Sequence, residues 1–269
     1  MLYSCMPLLV CLDFLPIFCY NYNGAPQEAP FMQHEGGNTD MKLFMCNGHP
    51  VVRLGGEYYI VDTGSPVSFH FAGPQALDVA GQGYLLCASP FCDKETADAL
   101  TGIDVGGFIG MDILQKSGLT IDLENSELEF AAVPGPDPAA EVAELPFDLF
   151  MGLYVVTDAL FLRRQLKNVI VDTGARIPYA ASRLTQFLEK TGEPYEDLSS
   201  QFDTLRGEFF EGGLVLPAAG RDVVRSVRFG LLPEVLDRSG LFDGIVGVAA
   251  LTDKRLVLDF ERQVLRITV

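Results

Sequence analysis

The chain repeats itself. Tyr58-Tyr59-Ile60-Val61-Asp62-Thr63-Gly64-Ser65 and Asn168-Val169-Ile170-Val171-Asp172-Thr173-Gly174-Ala175 are each an apolar, β-branched run ending in Asp-Thr-Gly. A run of that length closed by a turn signal predicts a buried strand. The likeness continues downstream in register. Phe108-Ile109-Gly110 answers to Ile245-Val246-Gly247. Four residues after each glycine stands a Leu, Leu114 or Leu251, and twelve after it an Asp, Asp122 or Asp259. Six and eight residues beyond those aspartates come Leu128 and Phe130 in one copy, Leu265 and Ile267 in the other. Each tail predicts a short hairpin with alternating apolar positions. One Asp-Thr-Gly triplet arises by chance in about one chain in twenty of this length. Two triplets followed by the same ladder point to duplication.

The duplication sets the domain plan. The stretch Val133-Pro134-Gly135-Pro136-Asp137-Pro138 breaks all periodicity and reads as a linker, taken as residues 133–144. A first lobe is then expected over 41–132 and a second over 145–269. The second opens on a β-like run, Leu153-Tyr154-Val155-Val156-Thr157. Short helices are expected near 95–100, 182–190 and 232–238. The 27 Gly and 16 Pro agree with a turn-rich, all-β chain. Residues 1–19 are apolar but lack a basic start and a clear cleavage site, contain Asp13, and are short for a membrane span. A poor signal peptide, a weak anchor and an extension outside the fold are the three readings. Residues 1–40 are expected to be a poorly structured N-terminal extension, without stable membrane insertion.

A net charge of -17 repels phosphate backbones and argues against a nucleic-acid partner. The six cysteines form no even framework, since three precede residue 20 and none follows Cys92. Cys87 and Cys92 could close a small loop in an oxidising compartment; two reduced thiols are the alternative, and the one favoured. No Asn-x-Ser/Thr acceptor is present, so a cytoplasmic setting is favoured over a secreted one. No metal site is expected, because Cys87 and Cys92 lack further ligands at zinc spacing. His34, His49 and His70 suggest neither a triad nor a metal cluster. There is no Gly-x-Ser-x-Gly elbow and no phosphate loop.

An Asp closing an apolar strand is costly for packing alone, because a buried carboxylate must be hydrogen-bonded or protonated. The Gly after Asp-Thr permits a tight turn and close approach of another backbone. If two such turns meet about a pseudo-twofold axis, their carboxylates come together and share a proton. One can then act as base toward a water while the other acts as acid. No cofactor is needed.

On these residues the chain resembles the pepsin-like and retropepsin-like aspartic peptidases, as two retropepsin-type units fused in one polypeptide. Val61-Asp62-Thr63-Gly64-Ser65 and Val171-Asp172-Thr173-Gly174-Ala175 match the active-site motif of that family. Phe108-Ile109-Gly110 and Ile245-Val246-Gly247 match its apolar-apolar-Gly element, and Phe242-Asp243-Gly244 ahead of the second is typical. The resemblance implies a bilobal acid-protease fold with pseudo-twofold lobes, a monomer that is its own pseudo-dimer. It implies a cleft for a peptide or protein substrate. Asp62 and Asp172 would be the dyad of an aspartic endopeptidase. Thr63 and Thr173 would brace the two loops, and Gly64 and Gly174 would permit the turns. Ser65 could hydrogen-bond Asp62, which Ala175 could not do for Asp172.

Two departures from the family pattern bear on activity. Arg176 follows the second motif directly. Reaching the dyad, it would favour two charged carboxylates; otherwise it points to solvent or pairs elsewhere. The family covers its cleft with a hairpin between the Asp motif and the apolar-Gly element. That interval is 110 − 62 = 48 positions in the first lobe and 247 − 172 = 75 in the second. A first-lobe flap is therefore expected to be reduced or lost, with at most a small hairpin near 81–84 and Tyr84 either over the cleft or simply packed. Residues 206–213, with Phe209 and Phe210 as substrate contacts, are the expected hairpin tip of a second-lobe lid. A non-catalytic peptide-binding protein that retains the fold is the alternative reading. A third is that both Asp-Thr-Gly turns are merely structural, each Asp capping its own turn.

Overall fold

The structure is a computed structural model, and it describes residues 40–89, 92–130, 142–161, 164–186, 188–199, 203–217 and 222–268. The expected extension up to residue 39 and the linker over 133–141 lie outside them. In the first lobe the strands are β1 (Asp40–Cys46), β2 (His49–Leu54), β3 (Glu57–Val61), β4 (Phe69–His70), β5 (Gln75–Val79) and β6 (Gln82–Ala88). Helix α1 (Lys94–Thr101), β7 (Val105–Ile109), α2 (Met111–Leu114), β8 (Leu119–Asp122) and β9 (Glu127–Phe130) follow. The second lobe runs β10 (Val142–Pro146), β11 (Asp148–Phe150), β12 (Tyr154–Phe161), β13 (Arg164–Val171), β14 (Tyr179–Ala180) and α3 (Ser182–Thr185). It continues through β15 (Lys190–Ser199), β16 (Asp203–Leu216), β17 (Val223–Leu231), α4 (Glu234–Ser239) and β18 (Gly244–Val246). A 3-10 turn (Val248–Ala250), β19 (Arg255–Asp259) and β20 (Val264–Thr268) complete it. Residues 142–144, expected in the linker, begin β10, where they pair with β20.

The duplication is visible as topology. In the first lobe β3 lies parallel to β7, β4 antiparallel to β7, and β4 parallel to β6. In the second, β13 lies parallel to β18, β14 antiparallel to β18, and β14 parallel to β17. Sheet order therefore matches strand by strand, β2-β3-β7-β4-β6-β5 against β12-β13-β18-β14-β17-β16. Strand β15, on the outer edge beside β16, has no partner in this match.

The two hairpin tails read from the ladder are β8–β9 and β19–β20. They join each other into one sheet: β19 pairs antiparallel with β8, Leu256 opposite Ile121 and Leu258 opposite Leu119. All four side chains are buried. The repeated Asp122 and Asp259 cap the tail turns: Asp122 Oδ1 accepts from Glu124 and Asn125 N–H, and Asp259 Oδ1 from Arg262 N–H. One hydrophobic cluster runs through both lobes, from Leu43 and Val61 to Val171 and Ile267.

Two sequence expectations change here. The helix expected over 182–190 stops at Thr185, and Lys190 already begins β15. Residues 206–213 are the interior of β16, pairing with β15 over 206–210 and with β17 from Phe210 on, not a hairpin tip. Residues 200–202, between β15 and β16, lie outside the described residues. A first-lobe hairpin does form at Ala80-Gly81, but β5–β6 corresponds to β16–β17 and not to β15–β16. The first lobe thus lacks the strand that makes the second-lobe hairpin long.

That hairpin leans on the other lobe. Leu198, near the end of β15, is 3% exposed in a cluster whose other buried members are all first-lobe residues, among them Val51, Ile60, Ala97 and Phe108. Leu198→Ala is expected to cost about 2–5 kcal/mol, read as a lowered urea midpoint with an unchanged folded baseline.

Candidate active site

Each Asp-Thr-Gly turn is held by its own lobe first. Asp62 N–H donates to the Ile109 carbonyl at 3.0 Å, and Asp172 N–H to that of Val246 at 3.0 Å. Just beyond, Met111 N–H donates to Ser65 O at 2.8 Å and Val248 N–H to Ala175 O at 2.9 Å. This crossing explains the glycine of each apolar-apolar-Gly element. A Cβ on Gly110 would sit 2.7 Å from Ser65 O, and one on Gly247 2.2 Å from Ile177 O, distances no side chain tolerates.

The two turns then clasp each other. Thr63 Oγ1 donates to Val171 O and Thr173 Oγ1 to Val61 O, both at 2.7 Å. In return Thr63 N–H donates to Thr173 Oγ1 at 3.1 Å and Thr173 N–H to Thr63 Oγ1 at 3.0 Å. Each hydroxyl donates once and accepts once, so a buried polar crossing is satisfied.

The clasp brings the aspartates together. A Cβ on Gly64 would lie 2.2 Å from Asp172 Cγ, and a Cβ on Gly174 2.2 Å from Asp62 Cγ. Each carboxyl therefore rests on the other turn's glycine. Gly64 N–H donates to Asp62 Oδ1 and Gly174 N–H to Asp172 Oδ1, each at 2.8 Å. Burial, then the charge of Asp62 and a hydrogen bond to its carboxyl, push Asp172 well above the usual carboxylate range. Two facing carboxyls that hydrogen-bond each other must hold a proton between them.

The turns are not equivalent. Ser65 Oγ donates to Val67 O at 2.9 Å, so the expected bond to Asp62 is replaced by a local turn. Ser65 N–H goes to the main-chain oxygen of Asp62, whereas Ala175 N–H reaches Asp172 Oδ1 at 3.0 Å.

Arg176 pairs away from the dyad. Its guanidinium donates to Glu196 O, and Nε lies 4.0 Å from Asp197 Oδ1. Its stem packs on Gly48, where a Cβ would meet Arg176 Cγ at 2.7 Å. Asp197, fully buried, also accepts from Arg176 and Ile177 N–H and from the Tyr179 hydroxyl at 2.7 Å. His49 joins this group from the first lobe. His49 and Asp197 stand 148 positions apart in the chain (197 − 49). No local pattern marks such a pair.

The three aromatics expected at the cleft pack as follows. Phe210 is buried in the core and stacks on Phe229 at 5.7 Å. Phe209 projects to the opposite face and meets the Tyr195 ring at 5.2 Å. Tyr84 is partly buried against the main core, with Asp112 near enough to raise its pKa after burial has done so. Among the described residues no cluster of His, Cys, Asp and Glu could hold a metal ion, and no helix is long and apolar enough to cross a membrane. Cys46, Cys87 and Cys92 are free thiols.

No protein-family model matches the chain, and no curated protein matches its sequence. Solved structures do match its shape. The crystal structure of an aspartic proteinase from Irpex lacteus aligns with a TM-score of 0.52 at 12% identity, over 86% of this chain and 96% of that one. Basic 7S globulin from soybean aligns with a TM-score of 0.51 at 8% identity, over 86% and 96%. With two β lobes sharing a sheet and paired Asp-Thr-Gly turns where they meet, the chain has the bilobal aspartic-protease fold.

Proposed function

We propose that the protein is an aspartic-type endopeptidase in which Asp62 and Asp172 activate a water for attack on a peptide carbonyl. The observation that carries this reading is the crossed packing of each carboxyl on the opposite turn's glycine, with Asp172 pushed toward its protonated form. A water between the carboxyls would lose its proton to the ionised one while the protonated one donates to the carbonyl oxygen. As the C–N bond of the tetrahedral diol breaks, the proton taken from water passes to the leaving amine and the other carboxylate takes back a proton from a diol hydroxyl, so the pair returns to its starting state. Thr63, Gly64, Thr173 and Gly174 serve as support that fixes the geometry; Ser65 contributes through its turn. A purely structural role for the turns leaves unexplained why two such carboxyls face each other.

A second reading, a non-catalytic binding protein on the same fold, has one observation in its favour. The fold matches basic 7S globulin about as closely as it matches the aspartic proteinase. Titration calorimetry with a statine-type transition-state mimic separates the two. The enzyme reading expects one-to-one binding at acid pH that weakens about 100-fold or more in Asp172→Asn, in line with transition-state mimicry. Equal affinity for wild type and Asp172→Asn would favour the binder.

A further inference from the structure

His49 follows the first-lobe turn at Asn47-Gly48 and is 1% exposed. Its Nδ1 lies 3.0 Å from the carbonyl oxygen of Gly174 in the other lobe. A carbonyl only accepts, so Nδ1 carries the hydrogen. The peptide group that supplies this carbonyl also supplies the Ala175 N–H. That N–H donates to Asp172 Oδ1 at 3.0 Å. One planar amide thus stands between His49 and the second aspartate, hydrogen-bonded at both ends. On its far side His49 Nε2 faces Asp197 Oδ1 at 3.6 Å.

We infer that His49 is a positioning residue: it holds the Gly174-Ala175 peptide plane so that the Ala175 N–H stays aimed at Asp172. The inference rests on the reading of Asp172 as one half of the reactive pair. A bond to the carbonyl end of an amide polarises the amide and strengthens the donor at its other end. The same comparison within the chain supports the assignment. In the second lobe the strand register puts Tyr154, opposite Phe150, where His49 stands opposite Cys46, so the imidazole is not repeated. In the first catalytic turn the corresponding N–H, that of Ser65, bonds main chain and not carboxylate.

The charged and titratable groups around this relay all come from the second lobe or the dyad. Asp197 and Arg176 face His49, Asp62 acts on Asp172, and the charge of Asp172 in turn reaches Tyr179. Burial lowers the pKa of His49, and the charge of Asp197 opposes that. Burial raises the pKa of Asp197, opposed by His49, Tyr179 and Arg176. The ring therefore donates through Nδ1 whether or not Nε2 is protonated, and the relay does not require a charged histidine.

Carboxyl carbon NMR of the unliganded protein, with its aspartates labelled, tests this directly. In His49→Leu the titration of the dyad should move upward by about half a pH unit or more, about threefold in the dissociation constant, because the charged carboxylate loses part of a donor. His49→Asn, which restores an N–H near the Nδ1 position, should return the titration toward wild type. Backbone amide spectra of both variants confirm the fold. A dyad titration unchanged in a folded His49→Leu overturns the inference, as does an equal shift in both variants. This readout needs no turnover, so it stands even if wild type cleaves no peptide, a result that would count against the peptidase reading alone. Where turnover is measured, the pH profile of kcat/KM, which reports the free enzyme, should shift in the same direction. Higher activity in His49→Leu on an unshifted profile would mark His49 as an obstruction and also overturn its positioning role.

Discussion

Asp62→Asn and Asp172→Asn should each lower kcat by about 10²–10⁴-fold or more while the chain stays folded. Either change removes a group that must give or take a proton, and the partner cannot fill both roles. The stability of Asp172→Asn should move the other way. The folded-state pKa of Asp172 is raised, so the proton is bound more tightly in the folded chain than in the unfolded one. Stability from that group is therefore present below the ordinary carboxylate pKa of about 3.9 and is lost as pH rises through the folded value. Asn carries no charge to desolvate. At neutral pH Asp172→Asn should resist urea better than wild type, and the gain should shrink as pH falls into the acid range. Matched urea melts at the two pH values read both the sign and the trend. Unchanged turnover in either variant would remove the paired-acid mechanism.

Gly64→Ala and Gly174→Ala should be nearly as damaging, although neither residue carries chemistry. The added Cβ would lie 2.2 Å from the carboxyl carbon of Asp172 or Asp62, well inside normal contact between carbons of about 3.5–4.0 Å. The backbone cannot retreat freely, since Thr63 and Thr173 pin both turns through four crossed hydrogen bonds. The opposing carboxyl must swing out instead. A shift of about 1 Å at such a site costs about 100-fold in rate, and overpacking destabilises by about 1–3 kcal/mol. Steady-state kinetics and urea melts on the two variants measure each effect. Gly→Ala variants with wild-type kcat would mean that the carboxyls do not need this mutual contact.

The pair and its support were legible because they occur twice. A repeated ladder exposes which positions the fold requires: Gly110 and Gly247 where backbones cross, Asp122 and Asp259 where tail turns are capped. The β15–β16 region was not legible for the opposite reason, that β15 occurs once. Strand β15 reads Lys-Thr-Gly-Glu-Pro-Tyr-Glu-Asp-Leu-Ser, polar and broken by Gly and Pro, because it is an edge strand whose first half faces solvent. Its buried residues, Tyr195, Asp197 and Leu198, are held by partners far away in the sequence. Phe209 and Phe210 could have been separated, since neighbours on a strand point to opposite faces and cannot both line one cleft. His49 was beyond sequence reasoning, because its meaning lies in a peptide group of the other lobe.

The arrangement joins a nearly symmetric floor to asymmetric surroundings. The crossed threonines and glycines treat the lobes alike. Ser65 against Ala175, His49 against Tyr154, and the unmatched β15 set them apart. Asp172, with two N–H donors on one carboxyl oxygen and Asp62 beside it, is thereby distinguished from its partner.

The central claim is that this pair hydrolyses peptide bonds. Incubating the purified chain with a mixed peptide library, from mildly acid to neutral pH, and scoring products by mass tests it most directly. Cleavage at discrete peptide bonds that grows as the medium is acidified, and stops with a statine-type inhibitor, is the expected result. A folded wild-type chain that leaves every peptide intact at every pH would contradict it.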